Sequence, residues 1–305
     1  MQAQILKIER QSLLVGTSAN LIMALSGWAT FYLSGSEAML LDGNFSFIMF
    51  LSSIAALKIS AIKAQRSTTF PFGLFVSEAL YSLVKGLLIG GVLLTAITGN
   101  LGKIFKYFEG AELQVLKTGP ILVYSIAMVA ICFGLSFFYK YQYKRTAESS
   151  SMLKTDQKAS LVDGFMSAGA GFALILIGYV DPNGSFNFLL YIGDAIMVLI
   201  LATFLAKQPI GIIKEAFIEL AGGRLQNMTE YDSIEATINQ ALAKKETQAK
   251  NIFISKTGSS YLVVLTLATE EINQQGIEVF SQIKQGLTQE LTKSYPHIDV
   301  EFVLC

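Results

Sequence analysis

From Gln11 through Ser36 the sequence carries no charged residue, and the same is true from Thr118 through Tyr139. A helix of about 20 apolar residues crosses the hydrocarbon core of a bilayer, and both runs are at least that long. Backbone inside hydrocarbon must satisfy its own hydrogen bonds, which restricts such runs to helices. Four further apolar stretches contain embedded charges, at roughly 38–62, 75–98, 158–180 and 187–206. The expected fold class is therefore a polytopic α-helical membrane protein with six transmembrane helices. Composition agrees: only 15% of residues are charged, against about 25% in soluble globular proteins. The polar residues concentrate beyond about residue 222, which implies two domains facing two solvents. The apolar run behind MQAQILKIERQSLL is too long for a signal-peptide core and is read as a retained first helix.

Basic residues set the expected orientation. Lys7 and Arg10 precede the first span, Lys58, Lys63 and Arg66 follow the second, and Lys140, Lys144, Arg145, Lys154 and Lys158 lie between the fourth and fifth. The loops at 34–37 and 181–186 contain no Lys or Arg. Both termini are thus expected on the cytosolic side of a cell (inner) membrane that the chain crosses several times. The domain expectation is a six-helix membrane domain over 1–207, a connecting amphipathic helix over 208–222 and a cytosolic domain over 223–305. Within the last, the pattern reads helix 229–243, strand 251–255, strand 260–268, helix 275–293 and strand 299–304. An α-β-β-α-β order gives a small sheet with helices on one face.

Several function classes are disfavoured. The 23 basic and 23 acidic residues cancel, so no nucleic-acid partner is expected. Cys132 and Cys305 have neither disulfide-framework nor zinc-knuckle spacing. There is no nucleophile elbow, phosphate loop, zinc-protease helix or dinucleotide fingerprint, so neither an enzyme nor a bound cofactor is expected.

Ionisable residues inside a span are costly, which makes each a functional candidate. Four qualify: Asp42, Lys85, Asp163 and Asp194. Asp42 and Ser46 lie four residues apart on the second span, and Asp163 and Ser167 repeat that spacing on the fifth. Residues four apart share a helix face, so two helices each offer a carboxylate and a hydroxyl that could enclose a cation. A plainer reading has both serines bonded back to helix carbonyls and Asp163 at the membrane boundary. By depth, Asp42 falls near the outer end of its span and Asp163 near the inner end of its own. Lys85 falls near the midplane, where it needs a partner; Asp194 is the candidate by depth, and Glu78 is the other.

The motifs then resemble those of the cation diffusion facilitator (cation efflux) family. SGSEAMLLDGNFSF (34–47) is similar to its SxSxALLxD second-helix motif, FPFGLFVSEAL (70–80) to its His-Pro-Phe-Gly-x-Gly-x-x-Glu loop, SMLKTDQKASLVDGFMS (151–167) to the start of its fifth helix, and YIGDA (191–195) to that of its sixth. Six helices, internal termini and a cytosolic ferredoxin-like (metallochaperone-like) α+β domain extend the match over the whole chain. The resemblance implies a homodimeric, proton-coupled exporter of divalent metal, with Asp42, Ser46, Asp163 and Ser167 as the metal site. The cation would be cargo, not a cofactor. The site diverges, because serine stands where the family usually has a second carboxylate on each helix. The family's loop histidines fall on Phe70 and Leu74, its C-terminal His and Asp on Val303 and Cys305, and a basic interface residue on Val76. His297 sits elsewhere and is taken as a surface residue. Without His or Cys at the site the ligands are hard oxygens, favouring Mg²⁺, Mn²⁺ or Fe²⁺ over Zn²⁺. The alternative is a non-transporting membrane scaffold or regulatory dimer partner of the same fold. A third reading makes Lys85 a fixed positive charge acting on a different substrate.

Overall fold

A computed structural model of the chain describes residues 2–304 other than 64, 72, 146–150, 244–246, 270–275 and 296. Cys305, matched above to a family metal ligand, lies outside the described residues. The elements run α1 (Gln2–Ser34), α2 (Glu37–Ile62), α3 (Val76–Phe108), α4 (Thr118–Arg145), α5 (Ser151–Ile177), α6 (Leu189–Leu205), α7 (Lys207–Leu220) and α8 (Met228–Ala243), then β1 (Asn251–Thr257), β2 (Ser260–Leu267), α9 (Ile277–Thr292) and β3 (Ile298–Leu304). Among the described residues, five helical stretches are long and apolar enough to cross a membrane, and Asp163–Ile177 adds a shorter apolar one. The chain divides into two compact units, one of residues 1–57 and 85–210, the other of residues 58–84 and 211–305.

The first unit is a helical bundle in which small residues set the approach of neighbours, as expected where water does not drive helices together. Gly27 on α1 lies directly against Gly43 on α2, where a Cβ on Gly27 would come within 2.7 Å of the Gly43 Cα. Beside that crossing Trp28 Nε1 donates to Asn44 Oδ1 at 2.9 Å. Between α4 and α5 the contacts recur every seven residues. Gly164 and Gly171 of α5, and Gly178 just beyond its end, meet Cys132, Ser125 and Thr118 of α4 in antiparallel register. A seven-residue repeat keeps one seam of each helix facing the other over several turns. The bundle's apolar centre gathers Met39, Leu41, Ile89, Leu93, Tyr124 and Met128.

One end of this bundle is tied together by backbone bonds. Lys117 N–H donates to Ser34 O at 3.2 Å and Leu116 N–H to Leu190 O at 3.3 Å. Asp194, buried at the start of α6, accepts the Ser36 hydroxyl at 2.8 Å, the Glu37 N–H, and the Ala38 N–H at 3.3 Å. It thereby caps the first turn of α2, whose opening N–H groups have no partner within the helix.

In the second unit β1 pairs antiparallel with β2 and β2 pairs parallel with β3. Val263, Leu265 and Leu267 alternate along β2 and are fully buried, the period-2 pattern of a half-covered strand. They pack with Ile234 and Ile238 of α8 and with Phe280, Ile283 and Leu287 of α9. The β1–β2 hairpin closes through Gly258 and Ser259, with Gly258 at φ +60°, a conformation that glycine adopts without the Cβ penalty. Two carboxylates hold this turn. Glu78 Oε2 accepts the Ser259 N–H at 2.6 Å and its hydroxyl at 2.7 Å, and Glu219 accepts the Gly258 N–H at 2.9 Å. Lys63 completes the cluster, 2.7 Å from the other Glu78 oxygen. His297, expected on the surface, is half-buried with its ring 4.8 Å from that of Phe75.

Candidate functional site

Asp42 lies five residues into α2, on the stripe that also carries Ala38, Met39, Leu41 and Phe45. Helix α5 begins at Ser151, seven residues before the start expected from hydropathy, so Asp163 is mid-helix. Asp42, Asp163 and Ser167 line one cavity of about 90 Å³ together with Tyr124, Ser125 and Met166. Room of this size suits a few water molecules or a partly hydrated ion.

Each carboxylate has a neutral donor from α4. The Tyr124 hydroxyl donates to Asp42 Oδ2 at 2.6 Å, and the Cys132 thiol to Asp163 Oδ2 at 3.5 Å. Cys132 is 1% exposed and lies behind Asp163, outside the cavity wall. Among the described residues, none lining the cavity is basic. Two carboxylates facing one low-dielectric cavity repel each other, and a cation or protons between them relieve the repulsion.

Ser46 is buried but is not among the cavity-lining residues. At 100° per residue it is turned about 40° from Asp42 toward Gly43, the residue that packs on α1. The structure does not bring Lys85 and Asp194 together. Asp194 shares a pocket with Lys103, which follows Lys85 by 18 residues on α3, a rise of roughly 27 Å. Glu78, the other candidate partner, is engaged with Lys63 and Ser259. Among the described residues, no three or more His, Cys, Asp or Glu side chains are grouped to hold a metal. A cation here would complete its shell with hydroxyls and water.

Residues 13–221 match the family model of the cation efflux transmembrane domain, and that is more than half of the chain. The chain belongs to the cation efflux family. It is accordingly a multi-pass membrane protein for transport of metal cations, in a family of transporters whose members are generally dimeric. No curated protein matches the chain.

The contribution of α4 does not show in its charge pattern, because residues 118–139 include no charged residue. A signal was present. The buried residues Tyr124, Ser125, Cys132 and Ser136 recur at helical spacing, placing polar atoms along one face of the uncharged part of the helix. Such a face needs something polar opposite it.

Proposed function

We propose that the chain is a proton-coupled exporter of a divalent cation that binds between Asp42 and Asp163. The observation that carries this reading is the shared cavity, with a carboxylate from α2 facing one from α5 and, among the described residues, no basic residue in the wall. Two carboxylates balance one dication, and the same groups take up protons when the cation leaves, which is the minimum needed for exchange. Ser167 and Ser125 are hard donors, the Tyr124 hydroxyl is engaged with Asp42, and the Cys132 sulfur stands behind the wall. The donor set therefore favours Mn²⁺, Fe²⁺ or Mg²⁺ over Zn²⁺.

On this reading the bundle has six spans, with Asp163–Ile177 the apolar part of the fifth. Both termini face the cytosol of an inner membrane, and two copies form a homodimer. The second unit is a ferredoxin-like domain without its first strand: removing that strand from β-α-β-β-α-β leaves the observed order and makes β2 and β3 direct neighbours.

The test is proton flux in proteoliposomes of the full chain, challenged in turn with Mg²⁺, Mn²⁺, Fe²⁺, Co²⁺ and Zn²⁺. A cation-dependent signal lost in Asp42→Ala and in Asp163→Ala is the expected result. Silence across the panel from folded protein replaces this reading with the non-transporting scaffold, and a signal that survives both substitutions moves the pathway elsewhere.

A further inference from the structure

We infer that Tyr124 is a specificity-determining residue that holds Asp42 to one-oxygen coordination and so selects small octahedral cations against Ca²⁺. The inference rests on the cation site proposed above and goes beyond it by naming what sets selectivity.

The argument starts from which oxygens are free. The Tyr124 hydroxyl is 2.6 Å from Asp42 Oδ2, leaving Oδ1 without that donor. On the opposite wall the Cys132 thiol takes Asp163 Oδ2, again leaving one oxygen without a donor. Tyr124 cannot readily swing aside. It is 4% exposed and packed in the apolar centre of the bundle with Ile121, Met128 and Leu174. For Asp42 to bind a cation through both oxygens, Oδ2 would have to share its charge between the buried Tyr124 proton and the cation, whereas Oδ1 is free of that donor.

Cations differ in how they use a carboxylate. Ca²⁺ takes six to eight oxygens in flexible geometry and commonly takes both oxygens of a carboxylate. Mg²⁺ requires near-ideal octahedral geometry and is satisfied by one or two carboxylates with the remaining positions held by water. Two single carboxylate oxygens with a few waters in about 90 Å³ provide the second arrangement and not the first. Mn²⁺, which shares octahedral oxygen coordination with Mg²⁺, fits the same site.

The experiment compares wild type, Tyr124→Phe and Asp42→Asn, each as full chain in proteoliposomes, with Mn²⁺ and Ca²⁺ as the probes. Tyr124→Phe keeps the ring that fills the core and removes only the donor. The expected result is that Mn²⁺-dependent flux persists while the ratio of half-saturating Ca²⁺ to Mn²⁺ concentrations falls about tenfold. A role in packing alone weakens both ions together and leaves the ratio where it was, which overturns the inference. Infrared difference spectra of the Mn²⁺-bound protein supply an independent readout, because a one-oxygen carboxylate has a wider separation between its two stretching bands than a bidentate one. The band assigned by its loss in Asp42→Asn is expected to show the wide separation in wild type and to narrow in Tyr124→Phe with Ca²⁺. A bidentate signature in wild type also overturns the proposal. Full flux in Asp42→Asn removes the cation site itself, a failure distinguishable from an unchanged ratio in Tyr124→Phe beside an inactive Asp42→Asn.

Discussion

The two units treat most of their carboxylates differently. In the second unit four glutamates are matched to ammonium groups, Glu78 to Lys63, Glu230 to Lys256, Glu301 to Lys284 and Glu290 to Lys293, while Glu219 holds a backbone N–H. In the bundle, Asp42, Asp163 and Asp194 are held by neutral donors, namely a phenol, a thiol, a serine hydroxyl and backbone N–H groups. An acid matched to a lysine has little charge left for a mobile cation, whereas one held by a neutral donor keeps its own. Within the bundle the donors make a further division. Both oxygens of Asp194 accept bonds from the turn they cap, while Asp42 and Asp163 each have one oxygen so engaged and share a cavity. Asp194 is therefore structural, and the other two are available.

The largest effect should come from exchanging these roles. Asp42→Asn and Asp163→Asn are each expected to lower cation-dependent flux by more than about 100-fold, beyond what removal of an outer-sphere group does, with little change in thermal midpoint. Asp194→Asn is expected to do the reverse, leaving the half-saturating cation concentration in place and lowering stability by about 1–2 kcal/mol through the lost cap. Flux titrations and thermal unfolding of the three variants read both quantities. A collapse of cation affinity in Asp194→Asn would erase the distinction drawn between the aspartates.

Packing on the α4–α5 seam comes next. A Cβ at position 171 would overlap the Ser125 side chain, so Gly171→Ala should destabilise the bundle by about 1–3 kcal/mol. Ser125→Gly added to it should restore most of the midpoint; no recovery would mean that the seam is set elsewhere. In the second unit, an alanine at 258 would keep φ at +60° and place its Cβ 2.5 Å from Phe75 O. Gly258→Ala should cost about 1–2 kcal/mol, read as faster amide exchange across the β1–β2 hairpin with flux parameters followed in parallel. The smallest effect belongs to Lys284→Ala. Its partner Glu301 is 56% exposed, and such surface pairs contribute about 0.5 kcal/mol or less. A double-mutant cycle with Glu301→Ala checks this, and a much larger coupling would break the contrast between surface pairs and buried carboxylates.

Much of the second unit was legible because strand alternation is a local signal. Val263, Leu265 and Leu267 mark their face in any window of five residues, and the hairpin shows as a glycine between two apolar runs. The start of α5 was not legible. Lys154, Asp156 and Lys158 look like a flanking loop to a hydropathy window, but charged side chains are compatible with a helix and here extend it beyond the apolar stretch. The Lys85–Asp194 pairing failed for a related reason. Distance along each span matches Lys85 with Asp194, whereas Asp194 is fixed by the N-terminus of α2, where only Lys103 of the α3 lysines shares its pocket. Tyr124 and Cys132 were passed over because an uncharged run hides neutral donors from a search for charges.

By itself the sequence determined the membrane-spanning runs, the separation into apolar and polar parts, and the short set of aspartates worth suspecting. Those properties sum over neighbouring residues, and each apolar length or buried charge carries its energy wherever the chain goes. Only the tertiary structure decided that Asp42 and Asp163 share a cavity, that Asp194 is a cap, and that α4 supplies the donor to each site carboxylate. These depend on which faces of distant helices meet. That meeting is set by close contacts such as Gly171 against Ser125 and Gly164 against Cys132, in which residues far apart in sequence must fit within a few tenths of an ångström.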